Sequence, residues 1–172
     1  MNETDQPNSA AMPPNRPRRT PLVRGKFLIK ALFLAGLCFV FFKFGLMPVK
    51  ILGESMQPTY RDGTLHFLNR MAYWSEGPQR GDVVGLQTSD GDIYIKRVVG
   101  LPGETVAISR SKVFINDQPL SEPYVRGFLP LTPTTNTLGS DEYFVMGDNR
   151  SVSVLGPLPR ERILGKIVSL FP

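Results

Sequence analysis

Near the start of the chain stands one long apolar run. From Phe27 to Met47 the residues are FLIKALFLAGLCFVFFKFGLM, interrupted only by Lys30 and Lys43. About twenty apolar residues are the length that a helix needs to cross the hydrocarbon core of a bilayer. Each lysine lies near one end of the run, from where a long side chain can reach the membrane surface. The pattern predicts a transmembrane helix over residues 25–47.

Two other structures are compatible with such a run: a buried helix of a soluble domain and a cleaved signal peptide. The stretch from Ala31 to Phe42 has no polar face, whereas helices of soluble domains usually have one. No A-x-A cleavage site follows, since the downstream sequence is GLMPVKILG. The run therefore favours an uncleaved membrane anchor.

After residue 50 the apolar residues come in short runs bounded by Gly, Pro, Asp or Asn. The runs TVAIS and KVFIND are separated by Arg110 and Ser111 and predict a β-hairpin. Further strands are predicted for GDVVGLQT, DIYIKRVVGL, EYFVMGDN and ILGKIVSLF. No stretch has a helical period with caps, and PLTPTTNTLGSD is predicted to be a polar loop. We expect residues 48–172 to form one mainly β domain.

The residues before the apolar run, 1–24, are rich in Pro, Asn and Arg and poor in aromatic residues, which predicts a disordered tail. Six basic residues up to Lys30 stand against Glu3 and Asp5, a balance of about +4. Basic residues mark the cytoplasmic side of a membrane helix. The sequence thus predicts a single-pass protein of the inner (cytoplasmic) membrane, with a cytoplasmic N-terminus and residues after 48 outside.

Composition and charge exclude several classes of function. The chain has 172 residues and a formal net charge of +5, but the excess lies in the tail and no basic stripe follows, so nucleic-acid binding is not expected. The single cysteine, Cys38, lies in the apolar run, and the single histidine is His66. These residues cannot form a usual zinc site or an intramolecular disulfide. The stretch GLPGE lacks the lysine and the helix of a phosphate-binding loop, and we expect no metal and no cofactor.

Ser55, in the stretch GESMQPTYRDG, is the candidate nucleophile. A Ser-His-Asp site would have to use His66, which stands between two apolar residues and is predicted to be a packing residue of a strand. The base would then be a residue other than histidine. Lys96 shares its strand face with Tyr94 and Val98, and burial among such neighbours lowers a lysine pKa from about 10.4 by about 3 units. A neutral Lys96 can act as a general base.

Four stretches, in this order, resemble the sequence boxes of bacterial type I signal peptidases: GESMQPTYRDG, RGDVV, YIKRVVGLPGE and YFVMGDNRSVS. The resemblance covers the chain from residue 47 to the C-terminus, together with the N-terminal anchor. It implies a membrane-bound Ser/Lys peptidase with a β-rich, LexA-like catalytic domain that removes signal peptides from exported preproteins. By position it implies that Ser55 is the nucleophile, that Lys96 is the base and that Ser153 positions the lysine amine. The GDNR box is mainly structural in this family and here comprises Asp148, Asn149 and Arg150.

In such a peptidase a signal peptide would lie extended beside the strand that carries Lys96, and shallow pockets would admit small residues, chiefly Ala, at positions −3 and −1. The backbone N–H of Ser55 is a candidate oxyanion donor. The family commonly has a second donor two positions before the nucleophile, but Gly53 has no side chain, so that donor must come from backbone or water. The residues expected to bind substrate are Met56, Pro58, Tyr94 and Ile95.

The chain departs from the family pattern in two places. Glu104, in LPGE, stands where the family usually has Asp. After Ser153 the family usually continues with an Asp-Ser-Arg segment whose ion pair supports the site, whereas this chain runs SVSVLGPLPRERILGK. The loss implies a divergent member with a narrow substrate range.

Two other functions stay open. One is a non-catalytic, membrane-tethered β-domain that binds envelope proteins, which the lost acidic segment favours. The other is a self-cleaving Ser/Lys regulator of the LexA type, a soluble class that often carries a helix-turn-helix domain. The sequence indicates neither a particular substrate nor an oligomeric state.

Overall fold

The computed structural model describes residues 23–88, 92–128, 133–152 and 154–169. The predicted tail, apart from its last two residues, and Ser153 lie outside the described residues. The chain divides into two units between Leu37 and Cys38, and each unit is considered by itself.

One α-helix, α1, extends over Val23–Phe44. Most of the range 25–47 is thus helical, whereas its membrane-spanning character stays a prediction. The helix ends before Gly45 because glycine is a poor helix former. All side chains that are described between Gly25 and Lys43 are exposed. No helix within the described residues is both long enough and apolar enough to cross a membrane.

Strands supply almost all of the regular structure in the rest of the described chain, as the short apolar runs predict. A single 3₁₀ turn, Arg160–Arg162, lies among the described residues after residue 50. The strands, numbered in chain order, are β1 Leu46–Lys50, β2 Leu65–Asn69, β3 Val83–Gln87, β4 Ile93–Gly100, β5 Thr105–Ser109, β6 Lys112–Ile115, β7 Gln118–Pro119, β8 Thr134–Thr137, β9 Glu142–Met146, β10 Val154–Pro159 and β11 Ile163–Val168.

These strands form two antiparallel sheets. The larger sheet has seven strands in the order β1-β2-β11-β3-β4-β9-β10, and the smaller has four in the order β7-β6-β5-β8. The expectation of a mainly β domain is therefore confirmed.

The predicted hairpin is formed by β5 and β6, in which Ser109 pairs with Lys112. The two residues between the strands, Arg110 and Ser111, have φ of 49° and 61°. Positive φ at both central positions is typical of the tight turn whose twist matches that of a β-hairpin. The turn therefore fixes the register of the two strands.

The prediction that PLTPTTNTLGSD is a loop is wrong for its central residues. Thr134–Thr137 form β8, which pairs with β5. Threonine is β-branched and suits a pleated surface, and the hydroxyls of Thr105 and Thr137 lie 3.3 Å apart across the two strands. The strand character comes from this partner, which the local sequence does not reveal.

Strand β4 lies inside the larger sheet and packs apolar residues on both faces. Ile95 belongs to a buried cluster with Met56, and Val98 belongs to another with Val145. Apolar contacts on both faces fix the strand, and Lys96 stands between these two anchoring residues.

Along one of its edges, β4 has a partner strand over only part of its length. On one side β3 pairs with it from Ile93 to Arg97. On the other side the pairing with β9 begins only at Arg97. No strand within the described ranges pairs with the four residues from Ile93 to Lys96 on the β9 side, so the first half of β4 has an open edge.

Candidate active site

Ser55 lies on the loop between β1 and β2, and backbone hydrogen bonds close this loop at its base. Ile51 donates its N–H to the carbonyl oxygen of Thr64 at 2.9 Å, and Gly63 donates to the carbonyl oxygen of Ile51 at 2.9 Å. Ile51 and Met56 are both buried. The half-buried Ser55 is thus held between two anchored side chains.

Lys96 approaches this loop from β4. Its amine nitrogen Nζ lies 2.6 Å from the hydroxyl oxygen Oγ of Ser55, although 41 residues separate the two positions. Only 6% of Lys96 is exposed. The structure therefore brings together the two residues that the sequence singled out for nucleophilic chemistry.

Burial changes the acidity of the Lys96 amine. Loss of hydration lowers the pKa of Lys96 from 10.5 to about 8, and the negative charge of Asp148 opposes this by favouring the charged form. With a pKa of about 8, roughly one amine in ten is neutral at pH 7. A neutral amine has a lone pair that can accept the proton of the Ser55 hydroxyl, so the pair has the geometry and the acidity for base-assisted attack on a carbonyl.

The pair opens onto a groove with a volume of about 590 Å³. Of the four residues expected to bind substrate, Met56, Tyr94 and Ile95 line this groove, and Pro58 does not. Met56 and Ile95 are largely buried, whereas half of Tyr94 is exposed. Tyr94 therefore offers more surface to a ligand than the other two residues.

The open edge of β4 forms one wall of the groove. In an antiparallel ladder the peptide groups of alternate residues turn toward the same neighbour. Val98 donates its N–H to Asp82, which precedes β3, so Ile95 and Ile93 turn their peptide groups toward the open side. These groups are available to an extended peptide that pairs as an added strand.

Next to Lys96, Arg97 forms an ion pair with a buried carboxylate. Asp148 is 0% exposed and accepts hydrogen bonds from Nε and a terminal nitrogen of Arg97 at 2.8 and 2.6 Å. The hydroxyl of Thr59 donates to the same carboxylate at 2.5 Å. The ring of Tyr124 covers the guanidinium, with 4.1 Å between the guanidinium carbon and the ring centroid. These contacts connect β4, the Ser55 loop and the residues after β9.

Asn149 contacts the nucleophile loop directly. Its backbone N–H donates to the carbonyl oxygen of Ser55 at 3.0 Å, and its side-chain amide donates to the carbonyl oxygen of Glu54 at 3.3 Å. The resemblance gave this residue a structural role without naming a partner. The two bonds hold the peptide of the candidate nucleophile.

Arg150 is buried and paired with an acid that the sequence reasoning missed. Its terminal nitrogens donate to the carboxylate of Glu122 at 3.1 and 2.5 Å, and its Nε donates to the carbonyl oxygen of Gly147 at 3.0 Å. One general signal could have pointed to such a partner: a buried arginine requires an acidic residue beside it. With 15 Asp and Glu residues in the chain, no local pattern points to Glu122.

The candidate oxyanion donors differ in their partners. The N–H of Gly53 donates to the carboxylate oxygen Oδ1 of Asp62 at 2.8 Å, so this amide is engaged. The N–H of Ser55 has no acceptor within the part of the chain that the structure describes. It is therefore free to bind a developing oxyanion, whereas Ser153, expected to position the lysine amine, lies outside the described residues.

His66 is not among the residues that line the groove. It stands opposite Val49 in the pairing of β1 with β2, and its Nε2 is 3.0 Å from the hydroxyl of Thr64. The ring of Tyr60 meets it edge to face at 4.8 Å, and burial lowers the pKa of the imidazole. These surroundings agree with the interpretation of His66 as a packing residue.

Comparisons with known proteins identify the family that this chain resembles. The family described as signal peptidase, peptidase S26, matches residues 24–171. Signal peptidase IB of Staphylococcus aureus strain Mu50 is 31% identical over 151 residues, which cover 75% of this chain and 79% of that protein. Signal peptidase I of Leptolyngbya laminosa is 33% identical over 134 residues, covering 70% of this chain and 66% of that protein. A crystal structure of a signal peptidase I from Enterococcus faecalis V583 is similar with a TM-score of 0.47 and 28% identity, and covers 54% of this chain and 98% of that one.

Proposed function

The chain belongs to the signal peptidase family, peptidase S26, and is a serine peptidase, and we propose that it removes N-terminal signal peptides from exported preproteins with Ser55 as nucleophile and Lys96 as general base. One observation carries the assignment of the two residues: the 2.6 Å contact between Lys96 Nζ and Ser55 Oγ. Burial supports the role of Lys96, since it lowers the pKa of the amine to about 8.

The reaction begins when neutral Lys96 accepts the hydroxyl proton of Ser55. The resulting alkoxide attacks the scissile carbonyl carbon, and the Ser55 N–H binds the oxyanion of the tetrahedral intermediate. Protonated Lys96 then gives its proton to the leaving amine of the mature protein, which leaves the signal peptide as an ester on Ser55. A water molecule, deprotonated by Lys96, attacks this ester, and Ser55 takes the proton back as the signal peptide departs.

The substrate lies in the groove as an extended strand. Its backbone pairs with the open edge of β4, where Ile93 and Ile95 turn their peptide groups outward. Apolar side chains at the groove, Leu52 and Val152 among them, are 78% and 60% exposed and contact the residues that flank the cleavage site. Small residues at −1 and −3 allow the scissile carbonyl to come close to Ser55.

We also propose that α1 attaches the chain to the cytoplasmic membrane and that the catalytic domain is extracytoplasmic. The large apolar residues of α1 support this, because Phe27, Leu32 and Phe33 are between 70% and 75% exposed and water disfavours such a surface. The excess of basic residues before the helix supports a cytoplasmic N-terminus.

A narrow substrate range remains part of the proposal. The short connection after the GDNR box supports it, because this connection borders the groove through Val152. Cleavage of a panel of preproteins by the purified enzyme measures the range. Similar rates across the panel would show a general peptidase instead.

The central test compares Ser55→Ala with the parent on a secretory precursor. We expect no processing by Ser55→Ala and full processing by Ser75→Ala, which changes an exposed serine outside the groove. Processing by a folded Ser55→Ala protein would reject Ser55 as the nucleophile. A parent protein that binds precursors without cleaving them would favour the non-catalytic binding domain.

A further inference from the structure

One segment between β7 and β8, residues 122–127, lies against the GDNR box. Arg126 and Asn149 form a parallel β-bridge. The N–H of Arg126 donates to the carbonyl oxygen of Asp148, and the N–H of Arg150 donates to the carbonyl oxygen of Arg126, both at 2.8 Å. This short pairing fixes the backbone on either side of Asn149.

Both ends of the 122–127 segment make further contacts. At one end the carboxylate of Glu122 binds the guanidinium of Arg150, and these side chains are only 9% and 1% exposed. At the other end Gly127 has φ of +81°, and a Cβ atom there would lie 3.1 Å from the backbone nitrogen of Ser151. The segment therefore follows the GDNR box closely, and the ion pair is its one charged contact with Arg150.

The opposite side of the GDNR box holds the nucleophile. The N–H of Asn149 donates to the carbonyl oxygen of Ser55, and its side chain donates to that of Glu54. A continuous path of contacts thus leads from Glu122 through Arg150 and Asn149 to Ser55.

We propose that Glu122 is a positioning residue, which holds Arg150 and thereby keeps Asn149 where it fixes the peptide of Ser55. The inference rests on the proposed peptidase function and deepens it. Among the described residues after Ser153 the only carboxylate is Glu161, which is exposed. Glu122 therefore supplies the acid that the buried arginine requires.

The physical reason is the cost of a buried charge. When one partner of a buried ion pair is removed, the other is left desolvated and unpaired. Without the charge of Glu122, Arg150 is driven toward water, and its backbone moves with it. Asn149 is the adjacent residue, so its bonds to Ser55 and Glu54 lengthen.

The test uses the full-length protein in detergent micelles and a peptide substrate that spans a cleavage site. We expect Glu122→Gln to lower kcat by about tenfold to a hundredfold, because small displacements of reacting atoms have effects of this size. KM should stay within about twofold, since the wall of the groove that β4 forms is untouched. Glu104→Gln is the matched control: it removes one carboxylate charge from the Arg80–Glu104 ion pair, which touches neither the loop nor the GDNR box, and it should leave kcat at the parental value.

Amide hydrogen exchange gives a second readout that needs no turnover. In Glu122→Gln we expect faster exchange in peptides that contain residues 53–56 and 148–150, and we expect the exchange rates of the β-strands to stay at the parental values. Glu104→Gln should leave both regions as in the parent. If Glu122→Gln kept the parental kcat, or if exchange rose evenly over the whole domain, Glu122 would be a structural residue only and the proposal would be overturned.

Two further outcomes are decided by the same design. If Glu122→Gln does not fold, Glu122→Asp replaces it, because this variant keeps the charge on a shorter side chain. It should show a smaller fall in kcat, with faster exchange confined to residues 53–56 and 148–150. If the parent protein cleaves no precursor, the peptidase function fails by itself. The exchange comparison then still decides whether Glu122 holds the Ser55 loop.

Discussion

Lys96 and Arg97 are neighbours on β4, and both hold the loop that carries Ser55, one directly and one through Asp148. Lys96 lies 2.6 Å from the hydroxyl of Ser55, whereas Arg97 binds Asp148, to which Thr59 of the same loop also donates. Because neighbouring side chains of a strand leave on opposite faces, one strand holds the loop directly at Ser55 and, through Asp148, at Thr59. A shift of β4 would disturb both contacts together.

The pH dependence of cleavage follows from the acidity of Lys96. Burial lowers the pKa of Lys96 to about 8, and only the neutral amine accepts the serine proton. We expect kcat/KM to rise about tenfold per pH unit below this pKa and to level off above it. Initial rates on a peptide substrate, measured from about pH 5.5 to about pH 10, give the profile on both sides of this pKa. A rate that falls across that range would contradict the role of a neutral lysine.

Lys96→Arg separates charge from basicity. Arginine keeps the positive charge but does not lose its proton at any working pH, so we expect cleavage to fall at least about a hundredfold. Precursor processing by the purified variants measures this. Lys112→Arg, on an exposed position of β6, is the matched control and should keep the parental rate.

His66→Gln tests the alternative base. The ring lies against Tyr60 and outside the groove lining, so we expect most of the activity to remain. Processing assays together with a circular dichroism spectrum check this. A folded but inactive His66→Gln protein would return the base role to histidine.

Stability should improve when Lys96 is replaced by an apolar residue. Burial lowers the folded-state pKa of Lys96 to about 8, below its ordinary value of 10.5, so the native state disfavours the proton that the unfolded state keeps. This penalty is fully present below about pH 8 and disappears as the pH rises past about 10.5. We expect Lys96→Met to unfold with a free energy higher by up to about 3 kcal/mol at pH 7, and by much less at pH 10.5. Denaturant titrations at both pH values, with Lys112→Met as control, measure the difference, and equal gains at both would contradict it.

The orientation in the membrane can be tested with protease. Added to intact spheroplasts, protease should digest residues after 48 and spare the N-terminal tail, because basic residues stay on the cytoplasmic side. Antibodies against each end follow the fragments, and lysed spheroplasts provide the control in which both ends are digested. Protection of the C-terminal domain in intact spheroplasts would reverse the topology.

The parts of the fold that could be predicted are those whose signal is local. The hairpin of β5 and β6 follows from alternating residues on both sides of Arg110–Ser111, and the turn conformation agrees with it. Strand β8 could not be predicted, because its threonines become a strand only through pairing with β5.

The same distinction applies to the candidate site. Ser55 and Lys96 could be found because each stands in a stretch that resembles a sequence box of type I signal peptidases. Glu122 could not, because its contact with Arg150 joins positions 28 residues apart and Glu122 looks like any polar residue of a loop. Pro58 was expected in the groove because it is close to Ser55 in sequence, but the loop turns it away from the groove lining.

β4 pairs with β9 only from Arg97 onward, and the open edge before Arg97 has a consequence for inhibition. An unpaired strand edge accepts any extended backbone, whatever its side chains. A peptide that adds to β4 but carries a bulky residue opposite Ser55 would occupy the groove without presenting its carbonyl carbon. We expect such a peptide to be a competitive inhibitor, and we expect a released signal peptide to inhibit in the same way until it dissociates. Accumulated product should therefore raise the apparent KM linearly with its concentration and leave kcat unchanged.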